Sequence, residues 1–531
     1  MSAFDAYESP YPTTRVPLFA RNVVATSQPL AVQAGLRMLW AGGNAVDAAL
    51  AAAIALVVVE PTGNGLGSDA FCILWDGKGL HGLNASGRSP AGWTPERFAR
   101  YERMPMRGWD TVTIPGAVSA WVTLSDRFGR LPFADLFAPA IGYARHGFPV
   151  ASKIARQWQM GAAILRDQPG FAEHFLQGGR APSPGDIWKS EDLAHTLETI
   201  AETRGEAFYR GALAEKIAAF AREHDAALSV EDMARHANDW CGTVSQDFAG
   251  VTVHEIPPNG QGIATLMALG MLAHTPIADF APDSPEALHL SIEATKLALA
   301  DIHRHLADPS AMHLPPEALL DPTYLASRSR LIDLHKAGDP GAGAPTTGGT
   351  VYLATADADG MMVSFIQSNY GGFGSGVVVP GTGIALQNRG YGFTLEAGHP
   401  NQVGPRKRPF HTIIPGFVMK GAGPLMAFGL MGGPMQAQGH LQMVLRTCLY
   451  GQDPQSASDA PRWRVVSGRK LALEDSMDDA TAEALSARGH IVSRDPPDAP
   501  FAFGGAQLVR RHGEAYVAGS DHRKDGSAQG F

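Results

Sequence analysis

The stretch from Gly348 to Gly376 limits what this chain can be more than any other. Lys336 to Gly349 is rich in glycine, proline and alanine and reads as a flexible segment. Val351 to Ala356 is apolar and β-prone, Asp357 to Gly360 turns, and Met362 to Gln367 is a second apolar run. This pattern predicts a β-hairpin with Thr350 at its mouth. A threonine hydroxyl is a poor nucleophile until a base takes its proton. A cut before Thr350 frees an α-amino group whose ordinary pKa, about 7.7–8.0, leaves a neutral fraction near pH 7 to act as that base. The β-branched side chain restricts χ1 and holds Oγ1 in one direction. Gly349 tolerates the backbone angles that bring its carbonyl within reach of Oγ1. The expectation is cleavage between Gly349 and Thr350. It gives a large piece, 1–349, with a flexible end at 336–349, and a small piece, 350–531, that begins with the nucleophile. An ordinary strand threonine is the competing reading.

Composition excludes several function classes. The chain has 531 residues, 45% hydrophobic and 18% charged, ample for a large core. The formal charge of -9 comes with no basic tract, so nucleic acid is not an expected partner. Met1 to Pro12 carries Asp5, Glu8 and Pro10 without an apolar core, unlike a secretory signal. No uninterrupted apolar run is long enough to span a bilayer. Cys72, Cys241 and Cys448 are few, odd in number and far apart, which fits reduced thiols in a cytoplasmic protein.

Metal and nucleotide chemistry find little support in the motifs. His289 and Glu293 are spaced i, i+4 on a helical stretch, and we read them as a helix-surface contact. His303 and His305 lie two apart and face different sides of one helix. No HExxH or CxxC pattern occurs. Gly371 to Gly376 lacks both the following helix and the Lys-Ser/Thr that phosphate loops need; Val377 to Pro380 follows instead. No metal or cofactor is expected.

Periodicity places helices at 29–39, 48–59, 94–106, 118–127, 136–147, 153–166, 191–203, 212–222, 230–237, 262–273, 285–307 and 438–450. Strands are expected at 21–27, 70–75, 81–84, 251–256, 383–387, 412–419, 425–430, 470–473, 506–510 and 515–518. Asn44 reads as an N-cap, with Asp47 three residues on. Interleaved helices and strands fit a layered α/β (α+β) protein. Gly432-Gly433 stands before a helix. Two such amides make a ready oxyanion hole, and a plain helix-entry turn is the alternative.

An ordered set of blocks resembles the γ-glutamyltransferase family of N-terminal-nucleophile hydrolases. The set comprises Gly42 to Ala49, Val59-Glu60-Pro61, Ile114-Pro115-Gly116, Pro257 to Gly262, Glu293 to Ala298 with Asp301, Asp308-Pro309, Gly404 to Pro409, Gly432-Gly433, Gly505-Ala506-Gln507 and Gly519-Ser520-Asp521. The resemblance covers nearly the whole chain. It implies a four-layer αββα sandwich shared by two cleavage products. It implies an oxyanion hole at Gly432 and Gly433, and a supporting hydroxyl at Ser368. Ser68 and Asp69 interrupt a glycine run that is frequent in the family.

The departures bear on substrate. The family's carboxylate-binding arginine falls in the segment aligned with Asn84 to Pro90, where Ser86 takes its place and Arg88 follows. The family's acid near Gly392 is missing, its paired serines become His411-Thr412, and Arg389 replaces an uncharged amide. A guanidinium binds a carboxylate bidentately. Candidate substrate contacts are therefore Arg88, Arg389, Tyr370, His411 and Thr412. They suggest a small carboxylate-bearing amide such as oxamate. The alternatives are a γ-glutamyltransferase or glutathione hydrolase, and an uncleaved, non-catalytic binding protein. The expected partners are a small-molecule amide, the two cleavage products for each other, and a dimer of those heterodimers.

Overall fold

The computed structural model describes residues 14–340, 349–496 and 502–531. The hairpin is its centre: Gly349–Ala356 pairs antiparallel with Met362–Tyr370. Asp357 closes the turn by accepting from the amides of Asp359 and Met361 at 3.0 and 3.1 Å. Its other oxygen accepts from Ala45 N at 2.8 Å, and Thr355 donates to Ala45 O at 2.7 Å. The turn thereby fixes the start of the helix Ala45–Val59.

Two seven-stranded sheets are built around this hairpin. The first runs Ser527–Gly530, Val23–Thr26, Gly349–Ala356, Met362–Tyr370, Asp69–Trp75, Leu80–Asn84, Asp239–Trp240. The second runs Leu18–Ala20, Ala515–Ser520, Gly505–His512, Gly423–Met431, Gly416–Lys420, Val251–Glu255, Val244–Phe248. The sheets pack face to face through Phe71, Tyr352, Ile366, Phe417, Ala427 and Val509. Gly429 allows the closest approach, since a Cβ there would lie 2.4 Å from the Tyr352 ring.

Helices cover both outer faces. Ala45–Val59 is capped by a reciprocal Asn44–Asp47 box, and all fifteen of its residues are buried against the first sheet and neighbouring helices. An apolar helix with no polar face needs cover on every side. Ile263–Leu272, Pro285–His305 and Met435–Val444 cover the second sheet. The layers are helix, sheet, sheet, helix. No helix among the described residues is long and apolar enough to cross a membrane. The three cysteines are unpaired.

Several expectations change. The helix expected over 94–106 is one turn, Pro95–Phe98, capped by Thr94; Arg97 within it and Arg100 and Tyr101 beyond it converge on Asp110 instead of continuing a ladder. The strand expected at 412–419 starts at Gly416, because Ile414 N donates to the Gln436 side chain. The helix expected at 438–450 starts earlier, at Met435, and gives way to a wider π-turn over Leu445–Leu449. Short, polar or terminal strands at Val244–Phe248, Trp463–Ser467, Ile491–Asp495 and Ser527–Gly530 escaped the periodicity reading.

The segment expected to be flexible is tied down over 336–340: Ala337 N donates to Arg488 O at 2.7 Å and Gly338 N to Glu293 Oε2 at 2.9 Å. Residues 341–348 lie outside the described residues.

Candidate active site

Thr350 is buried at the mouth of the hairpin. The strand register slips beside it: Gly349 faces Tyr370, but Val351 faces Gln367. Such a bulge re-aims a side chain. Here Thr350 Oγ1 donates to Ser368 Oγ at 3.1 Å, and Ser368 Oγ also accepts from Tyr370 N at 2.7 Å. Gln436 Nε2 donates to Thr350 Oγ1 at 3.4 Å, while its Oε1 accepts from Ile414 N at 3.0 Å and so fixes which end of the amide faces the threonine. Gly63 backs the threonine: a Cβ there would lie 3.2 Å from Thr350 O. A hydroxyl held by two hydrogen bonds on a backed-up main chain has one orientation, as a nucleophile requires.

Gly432 and Gly433 form a left-handed elbow, φ 122° and 60°, between the strand Gly423–Met431 and the helix Met435–Val444. Their carbonyls turn into the helix and accept from Met435 N and Gln436 N. Gln261 Nε2 donates to Gly433 O at 2.9 Å and locks that orientation. Neither elbow amide donates to another described group. Amides without a partner beside a buried hydroxyl are what a developing oxyanion needs.

The groups expected to read the substrate form a second cluster. Arg389 is fully buried, and its Nη1 donates to Thr412 Oγ1 at 2.9 Å. Its Nε and Nη2 have no hydrogen-bond partner among the described residues. The guanidinium stacks 4.9 Å from the centre of the Tyr370 ring. Burial lowers its pKa to about 10, against the pull of Asp69. His411 Nδ1 accepts from Ile413 N at 3.4 Å, so the neutral ring carries its proton on Nε2, which lies 3.1 Å from Asp69 Oδ2. Burial and the charges of Arg389 and Arg408 hold the His411 pKa well below its ordinary value. Asp69 is also fully buried, and that burial pushes its carboxyl up to about 7.

Tyr370 joins the two clusters. Its amide holds Ser368, its ring holds Arg389, and it lines a cavity of about 670 Å³. Met104, Leu306, Tyr391, Phe393, Leu395 and Phe410 give that cavity apolar walls. Arg88 stands apart. It lines a different cavity with Arg235, His236 and Arg406 and lies 3.6 Å from Asp239.

Two members of the site were not singled out from the sequence. Gln436 follows the glycine pair by one helical turn, a position that alone could have flagged it. Asp69 was visible as an acid breaking a glycine run, but its meaning depends on residues more than three hundred positions away.

The glycine run 371–376 offers carbonyls rather than amides: Arg107 Nη1 donates to Gly372 O at 3.0 Å and also to Gly374 O. That suits a cation, not a phosphate. The His289–Glu293 pair, expected on a helix surface, is buried, and His490 joins it with ligand atoms within 4.8 Å of one another. Lys296 Nζ occupies the cation position, 2.7 Å from Glu293 Oε1 and 3.4 Å from His490 Nδ1. His289 Nε2 donates to Asp333 O at 2.7 Å, so its Nδ1 accepts from His490 Nε2 at 2.9 Å. An ammonium at the centre, with both rings engaged, leaves a metal ion no room.

Comparison with known proteins agrees with this geometry. The family model for gamma-glutamyltranspeptidase matches residues 31–531. The chain is 36% identical over 522 residues to the glutathione hydrolase-like YwrD proenzyme of Bacillus subtilis, covering 96% of this chain and 98% of that protein. It is 36% identical over 515 residues to the oxamate amidohydrolase proenzyme of Klebsiella pneumoniae, covering 94% and 97%. Among solved structures, a cephalosporin acylase from Bacillus halodurans superposes with a TM-score of 0.95 at 45% identity, covering 100% of this chain and 99% of that one. These relatives are hydrolases and acylases, and the αββα layering is that of the N-terminal-nucleophile hydrolases. The chain belongs to the gamma-glutamyltranspeptidase family, as an enzyme of its autoprocessed amide-hydrolase and acylase kind.

Proposed function

We propose that the chain cuts itself before Thr350 and then hydrolyses an amide whose acyl part carries a carboxylate. The observation that carries this reading is Arg389: a buried guanidinium with two nitrogens that have no partner among the described residues, beside the nucleophile's own neighbours. A buried donor without an acceptor costs about 1–3 kcal/mol, more when charged, and a carboxylate removes that cost.

In the first step Thr350 Oγ1 adds to the Gly349 carbonyl, its proton passes to the departing Thr350 nitrogen, and the resulting ester is hydrolysed by water. The freed amine then takes the Oγ1 proton as Oγ1 attacks the substrate carbonyl. The Gly432 and Gly433 amides hold the oxyanion. The amine returns the proton to the leaving nitrogen, and water releases the acyl group. Ser368 and Gln436 keep Oγ1 aimed throughout.

Oxamate is the smallest substrate of this class. The 670 Å³ cavity favours a second reading within it, an amide with a bulky apolar leaving amine, because ammonia needs no such space. The γ-glutamyl reading needs an acid free to meet the substrate ammonium; Glu102 and Glu396 on the cavity wall are exposed, and the buried Asp69 already accepts from Gly87 and His411.

The test is a substrate panel on the cleaved enzyme: oxamate, carboxylated anilides and a γ-glutamyl anilide. Turnover confined to the γ-glutamyl compound would replace the proposal with the glutathione-hydrolase reading. Thr350→Ala is expected to run as one full-length band on a denaturing gel and to have no activity; two bands would end the cleavage proposal.

A further inference from the structure

We propose that Asp69 makes carboxylate binding at Arg389 a proton-coupled event. An anion docking on the guanidinium draws one proton from solvent onto an Asp69 carboxylate oxygen, and the proton returns to solvent when the anion leaves. The inference rests on the reading of Arg389 as the carboxylate anchor.

Geometry puts Asp69 inside the site. It stands directly opposite Ser368 across adjoining antiparallel strands, so the two side chains share a face. Opposed Cβ atoms in such pairs lie about 4.5–5.5 Å apart. Oδ1 accepts from Gly87 N at 3.0 Å, and Oδ2 accepts from His411 Nε2 at 3.1 Å. The next residue after His411 is Thr412, which takes the one hydrogen bond that Arg389 Nη1 donates. One dipeptide therefore carries both the partner of the acid and the partner of the base. Asp69 and Arg389 are both fully buried with no hydrogen bond between them, and Arg389 is the strongest charge acting on Asp69.

Asp69 is the group that changes charge near neutral pH. Four ionisable side chains act on it: Arg389, Arg408, His411 and Tyr209. Arg408 is spent on Asp239 and on Ser86 O. His411 stays neutral, because burial and the two arginines oppose a second proton. Burial also keeps the Tyr209 hydroxyl neutral by raising its pKa. Arg389 stays charged through pH 8.5. Asp69, pushed up to about 7, is half ionised at pH 7 and almost fully ionised at pH 8.5. Before binding, the buried pocket holds one positive and one partly negative group. A second carboxylate makes two anions compete for one cation, and a like charge at short range raises a carboxyl pKa. The cheapest answer is to protonate Asp69, whose unprotonated oxygen still accepts one of the two N–H groups facing it.

The experiment is calorimetric titration of the cleaved wild-type protein with pyruvate, which has the size and single charge of oxamate but no scissile amide. Two buffers of different ionisation enthalpy report proton uptake directly. Uptake is expected to rise from about half a proton at pH 7 towards one at pH 8, with Kd rising up to tenfold per pH unit above pH 7.5. Asp69→Asn is expected to abolish the uptake, flatten the profile and bind about tenfold or more tightly than wild type at pH 8.5. Binding without uptake in the wild type, which needs no variant to fold, would overturn the proton coupling and leave the anchor standing. Equal binding by Arg389→Gln, or no pyruvate binding by the wild type, would overturn the anchor reading and this inference with it.

Discussion

Single side chains in this protein act through the groups that hold them still. Thr350 is aimed by Ser368 and Gln436, and Gln436 is itself aimed by Ile414. Gln436→Leu keeps the volume and removes the donor. We expect kcat to fall about fivefold with KM little changed, since one net hydrogen bond is worth about 1 kcal/mol. A fall in kcat/KM carried wholly by KM would place Gln436 in substrate binding instead. Arg389 differs in kind, because two of its nitrogens have no partner among the described residues, and the proposed carboxylate would supply one. Arg389→Gln is expected to raise KM for carboxylated amides by about tenfold to a hundredfold, the range for a charged hydrogen-bonded pair. Uncharged amides are the control, and their KM should hardly move.

Elements set where those side chains stand. The helix Ala45–Val59 has no polar face, so its position depends on its ends. Asn44 caps the start and also donates to Phe128 O. Asn44→Ala is expected to cost about 1 kcal/mol, read as a lower denaturant midpoint at unchanged slope. At the other end Glu60 bonds Ser27 and is pushed up to about 7 by burial, from 4.5 in the open chain. The folded state therefore keeps a proton that the unfolded chain has released between pH 4.5 and 7. Stability from this group falls as pH rises through that window and is level above it. Thermal melts should show a midpoint falling from pH 5 to 7, and Glu60→Gln should flatten the fall. Asp521 has the opposite sign: Arg462 and Arg523 hold its carboxyl far below the ordinary range, so its contribution is lost only in strong acid.

At the scale of the whole molecule the two proposed pieces are interwoven. In the first sheet, strands 349–356 and 362–370 lie between Val23–Thr26 and Asp69–Trp75. In the second, Gly416–Lys420 pairs with Val251–Glu255. Cutting at Thr350 breaks none of these ladders. The cleaved protein is expected to elute from size exclusion as one species containing both bands, and to separate only in denaturant. Two separate peaks under native conditions would contradict this arrangement. The buried Lys296–Glu293–His490 cluster adds a polar bond between the pieces, joining Gly338 and the helix Pro285–His305 to the strand that starts at Ile491.

Much of this was legible in the letters. The hairpin, the buried helix with its Asn44 cap, the central threonine and the glycine pair all show in local pattern. Each depends on propensity, capping or a turn within a few residues, while Arg389 stood out only against the family resemblance. Three things did not show. The bulge at Thr350 depends on how two strands settle into register. The acid at Asp69 has meaning only once the sheet sets it opposite Ser368 and beside His411. The His289–Glu293 pair sits inside the molecule because a strand of the small piece covers it. Local sequence fixes backbone preference and face, but burial and long-range pairing belong to the assembled layers. Those layers decide which carboxyl is costly to ionise and which donor is left without a partner.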